Sequence, residues 1–202
     1  MIQEHVDARA RSSRRPVRGV LSEATADRLA QLETLPVLRA LARGQLDRSA
    51  YADLLERLLG WYRPLEYRLT MAARRLDLAL DLDARRRVPL LERDLRHLGR
   101  VGRNPAEVTT CWVLPSVETQ ADILGVLFAL DAATLNARRI VPALTACLGD
   151  CAGAGTDFFR AAAADDGMPG LDALLDATPD RAATRRAAFT TLSTLEAWLT
   201  LA

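Results

Sequence analysis

Lysine is absent from this chain: all 27 basic residues are arginine, a bias that reflects genome composition before function. Aromatics make up only 5% of the residues while half are hydrophobic, so the core must be built mainly of Leu, Ala and Val. At 202 residues such a core is large enough for one domain. The formal net charge is only +1, so no charge excess favours nucleic acid or a membrane surface as a partner. Cysteine is scarce: Cys111, Cys147 and Cys151 are odd in number and irregular in spacing, which excludes a disulfide framework and suits buried, inert thiols. No apolar run approaches the about 20 residues of a membrane span. An N-terminal apolar segment is also missing, so no secretory signal is expected and a cytoplasmic protein is. P-loop, G-x-S-x-G and zinc-ligand spacings are all missing.

What remains reads as helices. Residues 1–17, with Arg9, Arg11, Arg14, Arg15 and a closing Pro16, read as a flexible basic tail, and residues 18–202 as a single helical domain. Leu54, Leu55, Leu58, Leu59, Tyr62, Leu65 and Leu69 recur at helical spacing. Asp47 or Ser49 can cap that helix, and Pro64 should bend it. A second helix is expected from Asp83 to about Gly99, and a loop over residues 100–115. Beyond it, a long helix should run from a Ser116 cap to Leu148, with Glu118 favourably placed in its dipole. A shorter helix spans Gly153 to Ala164, and Thr178-Pro179 should open the last one. With no alternating β pattern in competition, the class is all-α.

Several segments carry a resemblance. Leu21, Ala24, Thr25 and Glu33 fit a helix pattern L-x-x-A-T-x-x-x-H-x-x-x-E. Gly60-Trp61-Tyr62-Arg63-Pro64-Leu65-Glu66 places aromatics before P-L-E. Pro89 to Gly99 fits P-x-L-x-x-D-L-x-x-L-G. Leu114 to Ala137 fits a long L-P-x-V helix pattern, Gly153 to Phe159 a G-A-x-x-x-F-F turn, and Phe189 to Trp198 a closing F-x-x-L-x-x-x-x-W-L. In this order and spacing they resemble the heme oxygenases, in particular the bacterial, biliverdin-producing type found beside bacteriophytochromes. The resemblance implies a heme-oxygenase-like multi-helix bundle. In that family heme lies between a proximal helix that supplies a ligating histidine and a distal helix whose glycines let its backbone approach the ring. The products are biliverdin, iron and CO.

The positions that carry this chemistry differ here. Leu29 stands where the family has its iron ligand, and Glu33 remains one turn on, where a carboxylate can orient a ligating ring. On the distal side, Phe128 to Ala137 places Ala132, Asn136 and Ala137 at the three family glycines, and Ala133 where one branch has an Asp. Added side chains should straighten that helix and fill its gap. The resemblance therefore gives pocket positions Leu29, Glu33, Phe128, Ala132, Ala133, Asn136 and Ala137, with no catalytic or metal-binding residue among them. Substitute iron ligands are few: His5 in the tail, His97 in a last helical turn where it suits C-terminal capping, Cys147 or Cys151, and Met71 or Met168. Arg18, Arg185 or Arg186 could meet heme propionates. Arg85-Arg86-Arg87 read as a solvated helix face, and Asp165-Asp166 and Asp81/Asp83 as loop or capping acids. The leading expectation is a degenerate heme-oxygenase-like protein, a non-catalytic module binding a tetrapyrrole or a protein partner, monomeric or homodimeric. No cofactor is assigned, although heme is admitted. The alternative is an active heme oxygenase with an unusual axial ligand. A third reading, an enzyme on the related thiaminase-type fold, would need Asp131, Glu33 or Glu66 in the pocket.

Overall fold

The computed structural model describes residues 16–100, 108–134, 137–149 and 154–201, and among these it is all-α, with nine helices, a 3-10 turn and no strand. The helices are α1 (Val17–Thr34), α2 (Pro36–Ala42), α3 (Arg48–Arg75), α4 (Val88–His97), α5 (Gln120–Thr134), α6 (Ala137–Leu148), α7 (Asp157–Ala164), α8 (Leu171–Ala177) and α9 (Arg181–Thr200). None of them is long and apolar enough to cross a membrane. The first helix begins at Val17, one residue inside the expected tail, and Val17 is buried with its amide bonded to Asp176. His5 and the tail arginines lie outside the described residues.

Local chemistry sets the boundaries. Leu35 is extended because the following Pro36 disfavours a helical residue before it, and Pro36 then opens α2 at a position needing no amide hydrogen. Asp47, rather than Ser49, caps α3 by accepting from the Ala50 amide at 2.8 Å. Helix α5 starts three residues later than expected, with Thr119 rather than Ser116 as its cap. Thr119 and Asp122 exchange bonds in a capping box, Asp122 N–H to the Thr119 hydroxyl and Thr119 N–H to the Asp122 carboxylate. Glu118 instead pairs with Arg75. The final helix opens at Arg181 with Asp180 as its cap, so Pro179 lies outside it. Helix α8 was not anticipated; left-handed Gly170 precedes its apolar Leu171, Leu174 and Leu175.

Helix α3 runs on through Pro64. Proline has no amide hydrogen to offer the Gly60 carbonyl. The Cys111 amide takes that acceptor at 3.0 Å. Gly60 also makes room for the segment that brings Cys111 in, since a Cβ there would lie 2.1 Å from the Thr109 carbonyl oxygen.

Helix α5 is the centre of the molecule, buried on every face from Ile123 to Ala129. It packs most extensively on α9, and α1 lies against both. The α5–α9 approach is close: a Cβ at Gly125 would meet the Thr184 carbonyl oxygen at 2.3 Å. Helix α4 lies along α3, and α7 along α6, which also touches α2. These pairings leave space between α1, α2, α6 and α7.

Candidate functional site

That space is a cavity of about 330 Å³. Helix α1 lines it with Leu29, Leu32 and Glu33, and α5 and α6 with Ala133, Ala137 and Ile140. Its deeper wall is aromatic. Trp61, Tyr62, Phe158 and Phe159 form a chain of edge-on contacts, with successive centroids 5.1, 5.6 and 5.0 Å apart, and Tyr62, Phe158 and Phe159 face the cavity. Two of the short motifs in the sequence, Trp61-Tyr62 and Phe158-Phe159, thus meet here although 96 positions separate Tyr62 from Phe158. Asp94 of α4 holds the second pair in place, accepting from the amides of Asp157 and Phe158 at 2.8 and 2.9 Å.

The mouth is cationic. Arg39, Arg43 and Arg139 line it, all three are exposed, and none is in an ion pair with a described residue. Glu33 is the carboxylate on the lining. The cavity therefore offers hydrocarbon inside and guanidinium groups outside, which is complementary to an amphipathic anion.

A second cavity of about 300 Å³ lies on the other side of Leu29. Leu29 and Ala162 line both. The second is polar, with Arg18, Arg138, Asp131 and Asp165 alongside Phe128 and Ala132. The pocket positions given by resemblance are accordingly divided: Glu33, Ala133 and Ala137 face the apolar cavity, Phe128 and Ala132 the polar one, and Leu29 stands between. Asn136 lies outside the described residues, as does Leu135, so the expected straight course of the distal helix falls there too.

The Arg85-Arg86-Arg87 run is not a solvated helix face. Arg85 and Arg87 retain only 15% and 10% side-chain exposure, and the acids opposite them explain why. Arg85 bridges Asp131 and Asp165, Arg87 pairs with Asp165, and Arg18 reaches Asp131 at 3.7 Å. Arg86 alone of the three is largely exposed. Asp165 is thus a partly buried network member, while Asp166 pairs with Arg138 at the surface. Burial pushes the Asp131 carboxyl above its ordinary range, against the pull of Arg85.

Glu66 belongs to neither cavity. Its Oε1 accepts from the Arg87 and Val88 amides at 2.6 and 3.2 Å, capping α4. Burial raises its pKa too. It shares a small hollow with Tyr62, whose phenol burial pushes up to about 12.

Candidate iron ligands fare poorly. His97 is exposed at the end of α4 and lines neither cavity. Arg185 and Arg186 are exposed and line neither. Cys111 is buried with its thiol toward the Val113 carbonyl, and burial raises its pKa. The side chain of Cys147, and all of Cys151, lie outside the described residues. Among the described residues no group of three or more His, Cys, Asp or Glu is placed to hold a metal ion. Comparisons of the chain with family models, with curated proteins and with solved structures found no match.

Sequence reasoning did not single out Arg39, Arg43, Arg139, Phe158 and Phe159 as site residues. The paired phenylalanines carried a signal, as part of a motif read for fold alone. The arginines carried none, because arginine is frequent everywhere in this chain.

Proposed function

We propose that this protein is a heme-oxygenase-like binding module without heme-oxidising activity, whose arginine-rimmed cavity holds an amphipathic carboxylate. Tetrapyrroles with propionate arms belong to that class. The observation that carries the reading is Leu29: it lies in the cavity wall at the position the resemblance assigns to the iron ligand, among apolar and aromatic side chains. The heme-oxygenase-like architecture is part of the proposal. It is supported by the all-α arrangement and by the convergence of the Trp61-Tyr62 and Phe158-Phe159 segments on one cavity.

Heme as a reacting cofactor does not fit the described residues. Leucine offers iron no lone pair. Tyr62, with its phenol raised to about 12, keeps its proton at neutral pH and is a hydrogen-bond donor rather than a tyrosinate ligand. Glu33 is exposed. What the residues do support is burial of an apolar body, edge-on aromatic contact with it, and charge-assisted hydrogen bonds from Arg39, Arg43 and Arg139 to its carboxylate.

Titration of the purified protein with hemin, followed by absorbance and then by addition of a reductant, tests the reading. The expected result is no ligated Soret band and no biliverdin from the wild type. Tight one-to-one binding with turnover to biliverdin by the wild type would overturn it.

A further inference from the structure

The apolar and the polar cavity are separate spaces that share two lining residues, Leu29 and Ala162. A porphyrin is rigid and planar, and it cannot bend around a side chain that lines both cavities. An aliphatic chain is narrow and adjusts its torsions to the room available. The apolar cavity has the matching chemistry: Leu32, Leu58, Ile140 and Leu195 on its walls, and the exposed Arg39, Arg43 and Arg139, in no ion pair with a described residue, on its lining. One anionic head at the mouth and one hydrocarbon tail inside satisfy all of these together. A polar group at the far end of the tail would find few partners and would lose the hydrogen bonds it makes in water.

We propose that the ligand of this cavity is a long-chain aliphatic carboxylate, and that Leu29 is the residue that sets this specificity by dividing the space against planar macrocycles. The inference rests on the reading of the arginine-rimmed cavity as a binding site and narrows its ligand class. Leu29 lines both cavities, so truncating it removes the larger of the two side chains they share. Ala162, the other shared residue, is already minimal.

The test uses the full chain, with tetradecanoate below its micelle concentration and metal-free protoporphyrin IX as probes. Binding is measured by calorimetry and by absorbance, in the wild type, Leu29→Ala and Arg39→Ala/Arg139→Ala. The wild type should bind tetradecanoate at least about tenfold more tightly than protoporphyrin IX. Leu29→Ala should raise protoporphyrin affinity by about tenfold or more and narrow that gap, while the double arginine variant weakens tetradecanoate by a similar factor. Thermal unfolding checks that each variant is folded, and the wild-type preference needs no variant at all. If the wild type binds protoporphyrin IX as tightly as tetradecanoate, or only the porphyrin, the inference falls and the binding-module reading stands. If it prefers tetradecanoate but Leu29→Ala, folded, gains no porphyrin affinity, Leu29 is not the divider and the inference falls in that part. If neither probe binds, the reading itself fails and takes the inference with it.

Discussion

Replacing Asp94 by alanine should be among the most damaging single changes in this protein. Asp94 is fully buried on α4, and its two carboxylate oxygens accept from the first amides of α7, those of Asp157 and Phe158. Alanine removes both bonds and leaves two amides at a helix N-terminus without that partner. A hydrogen bond to a charged acceptor contributes about 1.5–3 kcal/mol, and a buried polar group left unmade costs about 1–3 kcal/mol. Against this stands relief from the cost of desolvating the carboxylate, the same cost by which burial raises its pKa despite the two amides. The net expected loss is about 3 kcal/mol, and at about 2–4 °C per kcal/mol for a chain of this size the midpoint should fall by roughly 6–12 °C. Thermal and urea unfolding read this directly. Asp94→Asn, which keeps one acceptor oxygen, should fall between. Because the amides belong to residues beside the cavity's aromatic wall, ligand affinity should drop in Asp94→Ala as well. An Asp94→Ala protein within about 0.5 kcal/mol of wild type would show that α7 is held by its rings alone and that the capping argument is mistaken.

Asp131→Ala should cost about 3 kcal/mol, since it strips the partly buried Arg85 of one of its two carboxylate partners; a urea midpoint close to wild type would contradict that. Gly125→Ala should destabilise by about 2 kcal/mol, because the new methyl would meet the Thr184 carbonyl of α9, a crowding that outweighs the about 1 kcal/mol gained in helix propensity. Gly19→Ala, with nothing within 4 Å of the added carbon, is its control and should be neutral or stabilising in the same unfolding assay. Glu66 has a raised folded-state pKa, so its contribution to stability is full below its ordinary 4.5 and is lost as pH rises through the folded value. Glu66→Gln should therefore lose less stability between mildly acidic and neutral pH than the wild type; an equal or steeper decline in the variant would refute the sign.

The helices were legible because their signals are local. The Leu54–Leu69 spacing, the Asp47 cap and the Leu35-Pro36 break act within a few residues, and each appears where short-range sterics and hydrogen bonding place it. The start of α5 differs from the expected one because Ser116 and Thr119 are both competent caps. Only the reciprocal bond to Asp122 decides between them, while Glu118 is drawn off to Arg75 from 43 residues away. The arginine run at 85–87 misled for the same reason: its partners Asp131 and Asp165 are distant in sequence, and a charge run carries no mark of the acids it will meet. Of the site, Leu29 was found through resemblance and stands in a cavity wall, but its place between two cavities depends on Ala162 of α7 and could not be read from either segment alone.

The junction at Gly60 and Pro64 has a consequence for the order in which the molecule assembles. The acceptor that receives the Cys111 amide points outward only because the helix skips a bond there, so the strap from Val108 onward has nothing to dock on until that turn of α3 has wound. Exchange of the Cys111 amide with deuterated solvent would then report on the integrity of a helix it does not belong to. Its protection should vanish together with that of the amides around Gly60, and Pro64→Ala, by returning a rival donor to the same carbonyl, should release the strap while the helix itself becomes more regular.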